Sequence, residues 1–282
     1  MKLVFACLSY YLLADLGVNV AYHRCLSHRS FQLKKWLERT FVSFGLAAGT
    51  PIQWVGNHRY HHQHSDEPGD PHSPHQRGFW HAHVGWYLNT ENPWICLPYI
   101  FAGPLRTLFD GWLRPHTNQE HNALAKDVAA DPYYRFLSRP IPYMVGCMLY
   151  VLIFFGVSYL FAGFTGIITA WAFSVFTYNL GDSVNSVGHL YGPKPFNTTY
   201  ARNNAIIAHL ALGEGWHANH HAFPSSARHG LLRHQWDATY RIIRLLEKLG
   251  LASSIRLPNS DLFETVAEKR FSRKGAKAQR KR

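Results

Sequence analysis

The sequence predicts an all-α protein: an integral membrane helical bundle of about three spans, capped by a helical domain that carries a histidine-rich site. Three observations predict it. Pro140 to Gly181 holds no charged residue over 42 positions, which at about 1.5 Å per helical residue is roughly 63 Å, or two bilayer crossings. Nineteen histidines gather into short boxes instead of scattering. No segment shows the alternating pattern of a strand.

Each element follows in chain order. Leu3 to Tyr22 has the length of a further span, interrupted only by Asp15 and Asn19, and it runs directly into His23 without the small-residue cleavage site of a signal peptide. Phe41 to Trp54 is apolar but short and contains Pro51; Ile95 to Leu113 is broken by Pro98 and Pro104. Both are too short to cross, and each is expected to lie in the interface or to dip in and return. The long uncharged stretch breaks at Ala162-Gly163-Phe164-Thr165-Gly166, where two glycines permit a reversal between spans near 141 to 161 and 165 to 184. Residues 203 to 250 read as interrupted helix, and Thr239 to Leu249 carries apolar residues at helical spacing before Gly250.

Charge and cysteine content exclude several classes. The net charge is +12, but eight basic residues and no acid fall between Lys269 and Arg282, so residues 269–282 read as a basic tail outside the fold. Nucleic-acid binding would want basic residues spread over a folded face with aromatics among them; a tail beside an anionic membrane surface fits better. Cys7, Cys25, Cys96 and Cys147 form no CxxC pair, which argues against a thiolate zinc site or a redox pair.

The histidines carry the chemistry. His23 and His28 form HxxxxH; His58, His61 and His62 form HxxHH; His217, His220 and His221 repeat HxxHH. On a helix, positions i, i+3 and i+4 share a face, so each HxxHH is expected to aim three imidazoles at one point, and neutral imidazole suits Fe, Zn, Cu or Ni. Lone histidines such as His116 and His209 read as ordinary polar residues. Asn185 and His189 lie one turn apart just past the last span, on the same membrane face as the boxes. Eight boxed histidines with His189 and Asn185 are too many for one tetrahedral zinc and suit two metals. Soluble di-iron bundles use two Glu-x-x-His motifs; only Glu214 to His217 has that spacing, so a mostly histidine-ligated pair is implied. HExxH is absent, against a zinc protease.

HRCLSHRSF, WVGNHRYHHQHSDEPGDPH with RGFWHAHVGW, VNSVGHLYG and GEGWHANHHAFP closely resemble the boxes of membrane fatty acyl desaturases, the Δ9 group that includes stearoyl-CoA desaturases. ARHG and DATYRIIRLLEKLGLA look more like the bacterial and plant acyl-lipid branch. The resemblance covers roughly residues 5 to 258, and several long boxes in the right order make it specific. It implies a membrane fatty acid desaturase domain over residues 1–268 and a non-haem di-iron centre of two Fe ions. By motif match the ligands are His23, His28, His58, His61, His62, His189, His217, His220 and His221, with Asn185 through water.

The implied reaction removes two hydrogens from a methylene pair, using O2 and two electrons, and leaves a cis double bond, Δ9 by the same likeness. Asp66, Asp70, Glu214 and Arg202 are expected to support the centre, a carboxylate orienting a ligand imidazole being the physical role. The acyl tunnel is expected along the first span, with Cys7 and Tyr11 near its methyl end and Trp54 in its wall. Its substrate would be an acyl-lipid or acyl-CoA among membrane lipids. With no HPGG haem signature, a separate electron donor is implied, a ferredoxin or a cytochrome b5-like protein, and no nucleic acid. The family usually has a span before the one ending at the first box. With the boxes on the cytoplasmic face, three spans would put Met1 on the far side. A histidine-box hydroxylase of lipids or alkanes is the nearest rival; a histidine-rich metal transporter is another, but its ligands would lie at mid-membrane.

Overall fold

The computed structural model describes residues 1–196 and 200–258; the basic tail at 269–282 lies outside them. The described chain is mostly helical. Helix α1 (Lys2–Asp15) continues as a π-helix over Leu16–Ser27. Next come α2 (Lys35–Phe44), α3 (Pro51–Gln63), α4 (Pro74–Trp80), α5 (Pro93–Phe101) and α6 (Arg106–His116). The long α7 (Pro140–Leu190), the short α8 (His217–Ala222) and α9 (Ala238–Lys248) complete the main elements.

Local chemistry sets the helix starts. Proline occupies the first position of α3, α4 and α5, where no amide donor is missed. The Thr50, Ser73 and Asn92 side chains before them accept from the Gln53, His75 and Trp94 amides. Asp237 caps α9 by accepting from the Tyr240 amide at 2.9 Å.

Among the described residues, two helices are long and apolar enough to cross a membrane by length and composition, Lys2–Ser27 and Pro140–Leu190. The second is folded on itself. Ala162 and Gly163 leave helical geometry, Gly163 at φ 56°, in the region that favours glycine. A side chain at Gly166 would run into the Ser158 carbonyl, a contact eight residues apart that a straight helix cannot make. The reversal expected at 162 to 166 is therefore present, and α7 consists of limbs 140–161 and 164–190. Helix α1 wedges between them: the Tyr10 ring stacks on Phe154 at 4.0 Å between centroids and meets Phe173 edge-on at 6.5 Å. Outward, these helices present Phe5, Leu8, Leu152, Ile153, Leu160, Phe164 and Ile168, all exposed.

Two expectations are corrected. A strand pair exists, Gln32–Leu33 (β1) antiparallel to Ala252–Ser253 (β2); at two residues each the strands are too short to show alternation. The apolar stretch Phe41 to Trp54 does not lie on the outside, since Phe41, Val42 and Leu46 are buried in the main core with Tyr22, Val55, Tyr143 and Ile243. By contrast, Ile95 to Leu113 forms a helical hairpin, α5 and α6, beside the second limb of α7.

Candidate metal centre

Four segments bring the boxes together at one end of the α1 and α7 bundle. HxxxxH lies at the end of the π-helix, where the His28 amide donates to the His23 carbonyl at 3.2 Å. That i→i+5 bonding puts residues five apart on one face, and the two rings sit 5.0 Å apart. Helix α3 carries His58, His61 and His62, the end of α7 carries His189, and α8 carries His217, His220 and His221.

The nine imidazoles form two sets. One is His23, His28, His58, His62 and His220; the other is His61, His189, His217 and His221, with the ligand atoms of each set within 4.8 Å of one another. This corrects the expectation that each HxxHH aims at a single point. In both boxes the first and last histidines stay together, and the middle one crosses over: His61 joins His217 and His221, and His220 joins His58 and His62.

The arrangement fits metal ions. His23, His61 and His189 each turn Nδ1 to a carboxylate: Glu214 Oε2 at 2.7 Å, both Asp70 oxygens at 2.9 Å, and Asp66 Oδ2 at 2.7 Å. With Nδ1 donating, each Nε2 is a bare lone pair. These lone pairs face other Nε2 atoms, His23 to His220 at 3.0 Å, His61 to His221 at 3.3 Å and His189 to His217 at 3.0 Å. Further such contacts are His28 to His58 at 2.7 Å, His62 to His220 at 2.9 Å and His217 to His221 at 3.1 Å. Nitrogens about 2.1 Å from one metal are about 3.0 Å apart at right angles and about 3.4 Å apart at tetrahedral angles. The observed spacings of 2.7 to 3.3 Å are close to those of nitrogens sharing one metal, and five nitrogens in one set exceed a tetrahedron.

Electrostatics prepare the ligands. Burial, reinforced by neighbouring imidazoles, holds His58, His62, His217, His220 and His221 well below the usual histidine range, so they stay neutral. Burial alone would raise the Glu214 carboxyl, but Arg24, His23 and His229 outweigh it and hold it well below the carboxylate range. Asp70 and Asp66 are lowered likewise against the burial penalty, Asp70 chiefly by His61 and Asp66 chiefly by His189.

The remaining expected residues divide. A cavity of about 160 Å³ is lined by Tyr10, Tyr11 and Ala14 of α1, by Trp54, and by His23, His58 and His217; Asn185 is in its wall. Cys7 is not: it packs with Ala6, Tyr10, Phe154 and Ala170. Positions four apart drift round an α-helix by about 40°, and Cys7, four residues before Tyr11, has turned from the cavity into the helix contact. Arg202 donates to the Gly192 carbonyl at 3.1 Å, its amide donates to Gly188, and its carbonyl accepts from the Ala218 amide. It ties α7 to α8 through backbone and does not orient a ligand ring.

Three residues of the site were not anticipated. Arg24, fully buried, donates to Glu214 at 2.8 Å and to Asp237 and the Ala227 carbonyl at 3.0 and 2.8 Å. His229 places Nδ1 3.4 Å from Glu214 Oε2, and its ring centroid is 4.4 Å from that of His220. Asp237 also accepts from the His229 amide at 2.7 Å. ARHG and DATY hold His229 and Asp237, but a lone histidine and a capping aspartate give no spacing to read, and Arg24 is marked only by its place beside His23.

The profile of the fatty acid desaturase family matches residues 2–244. A chloroplastic protein of Arabidopsis thaliana named as a probable lipid desaturase is 40% identical over 247 residues, 86% of this chain and 60% of its own length. The acyl-CoA C20 Δ5-desaturase of Anemone leveillei is 40% identical over 92% of this chain and 75% of its own. The sn-1 stearoyl-lipid 9-desaturase of Anabaena variabilis is 35% identical over 89% and 83%. This chain thus spans from 60% to 83% of the lengths of these relatives. By match and by the arrangement of its histidine boxes, the chain belongs to the fatty acid desaturase family.

Proposed function

We propose that the protein is a membrane-embedded fatty acyl desaturase. It places a cis double bond, at Δ9, in a saturated acyl chain, with O2 and two electrons from a separate ferredoxin or cytochrome b5-like donor. One observation carries this: the cavity that starts at Tyr10 and Tyr11 between α1 and α7 ends on His23 and His58 of one imidazole set and His217 of the other. A methylene pair held there lies against both sets at once.

Nine histidines, with Asn185 through water, would hold two iron ions, and the iron pair supplies the oxidising power that an unactivated C–H bond demands. The chain's own residues do the rest. Glu214, Asp70 and Asp66 fix ring orientation and tautomer from the far side of three imidazoles. Trp54, stacked on His58 at 4.9 Å, forms an apolar wall beside the ligands, and Tyr11, whose hydroxyl donates to the Leu210 carbonyl, closes the methyl end. The relatives' names span acyl-CoA and acyl-lipid carriers; the bacterial and plant likeness of ARHG and DATY favours acyl-lipid.

Three crossings fit the bundle: α1 and the two limbs of α7. The turn at Ala162-Gly163 carries no charge, whereas the histidine end carries Lys34, Lys35, Arg39, Lys126, Arg135 and Arg139. That asymmetry favours a cytoplasmic centre. The test is expression in a host lacking unsaturated fatty acids, followed by double-bond localisation. Monounsaturated products with a Δ9 bond are expected; hydroxylated chains instead would overturn the reading in favour of a hydroxylase.

A further inference from the structure

Helix α6 is amphipathic in the wrong sense for water. Its outward side chains, Leu108, Phe109 and Trp112, with Leu105 just before it, are each more than half exposed, whereas Arg106, Asp110 and Arg114 are buried. A surface helix of a water-soluble protein does the reverse. The buried charges compensate one another: Arg106 donates to Asp182 at 3.0 Å, Arg114 pairs with Asp110 at 3.1 Å, and the Arg114 guanidinium stacks 3.8 Å over Tyr87. Arg106 and Arg114 also line the acyl cavity.

The hairpin of α5 and α6 runs along the second limb of α7. Just past the turn, the Arg106 side chain reaches back to Asp182, where the charge-free run of α7 ends. At its apex, the Trp171 indole donates to the Phe101 carbonyl at 3.1 Å, and Asn179 donates to the Ile100 carbonyl at 3.2 Å. A side chain at Gly103 would strike the Trp171 ring. From Asp182 to Trp171 is eleven residues, about 16 Å of helix and roughly half of a 30 Å hydrocarbon core. Irregular backbone at that depth needs protein partners for its carbonyls, and limb residues provide them at the apex. At nine and eleven residues, the two arms are too short to cross.

We propose that Pro93–His116 is a re-entrant hairpin, inserted into the bilayer from the histidine side, with lipid acyl chains as the partner of its Leu105, Leu108, Phe109 and Trp112 face. Its inner, charge-paired face is then the partition between bilayer lipid and the acyl cavity. The sequence left open whether this stretch lies flat or dips in; the contacts with Trp171 and Asn179 choose the dip.

The inference rests on the membrane-embedded reading, and the experiment separates the two. Phe101→Cys, Leu108→Cys, Trp112→Cys, Leu152→Cys and Lys248→Cys are made in the full chain, each at an outward position, with the wild type, whose four cysteines are buried, as blank. Each variant is labelled with bimane and reconstituted as the iron-loaded protein in phosphatidylcholine vesicles brominated near the headgroup or near the chain end. Deep bromines are expected to quench Phe101 and Leu152, and shallow ones Trp112; none should quench Lys248. Equal shallow quenching at Phe101 and Trp112 would mean a hairpin lying flat, and labelling of all three hairpin sites by an impermeant maleimide would mean one in water. Either overturns the proposal while Leu152 remains quenched. Loss of quenching at Leu152 as well would overturn the membrane reading itself.

Discussion

Asp70 offers the sharpest test of how the centre is supported. Its side chain is wholly buried. Both oxygens accept from His61 Nδ1 at 2.9 Å; Oδ2 also accepts from the Asp66 amide at 2.7 Å, and Oδ1 from the His72 amide at 3.1 Å. Asp70→Asn keeps the volume but converts one oxygen into a donor. Whichever way the amide turns, one backbone N–H faces another donor, a loss of about 1–3 kcal/mol for an unsatisfied buried group. Part of that falls on His61 orientation, and lost support of this kind costs roughly 10–100-fold in metal affinity. Because His61 belongs to the His189, His217 and His221 set alone, the loss is confined to one of two sites. The assay is iron per chain in purified protein titrated with chelator. The wild type should hold about two irons; Asp70→Asn should release one at roughly 10–100-fold lower chelator and the other at the wild-type concentration. Joint release of both, or an unchanged curve, would refute the reasoning.

Exchange of the middle histidines predicts that His61→Ala empties the same iron site as His217→Ala, and His220→Ala the same as His58→Ala, each abolishing desaturation with the protein still in the membrane; Mössbauer spectra of the singly loaded forms check this. Tyr11→Ala opens the end of the cavity and should shift products from 16 toward 18 carbons, whereas Cys7→Ser, outside the lining, should leave the ratio unchanged; fatty acid analysis at matched expression reads both. Gly166→Leu would drive a side chain into the Ser158 carbonyl and should abolish accumulation of folded protein, seen as loss of a monodisperse peak in detergent. Burial lowers His229 to about 4 and His72 to about 3, against about 6.5 unfolded. Below pH 6.5 the unfolded metal-free chain takes up protons that the folded one refuses, so its melting temperature should fall between pH 6.5 and about 4; His229→Asn should flatten that fall.

Much of this was legible because the informative groups are local. The charge-free run from Pro140 to Gly181 and the glycines at 163 and 166 define a hairpin without reference to anything distant. The boxes name nine imidazoles because metal ligands must be specific residue types at short spacing. What the sequence hid depends on backbone pitch and on partners far along the chain. HxxxxH converges only because residues 16 to 27 are π-helical, which no side-chain pattern announces. The exchange of His61 and His220 depends on how α3 and α8 face each other across 156 or more positions. Arg24 reads as an ordinary surface cation until Glu214 and Asp237 arrive to neutralise it.

The π-helix also bears on the order in which the molecule is made. Carbonyls at the end of a helix lack partners within it, and here another part of the chain takes them: Arg59 donates to the Leu26 and Ser27 carbonyls at 2.7 and 3.0 Å. Ser27 and Ser30 close onto the Tyr22 and Arg24 carbonyls at 2.8 Å. During synthesis Arg59 emerges more than thirty residues after this segment. The contacts that Arg59 makes with the end of the first apolar helix therefore form only after α3 has been made. The metal site itself is assembled from segments made later, and the first helix alone supplies only His23 and His28 of the nine imidazoles.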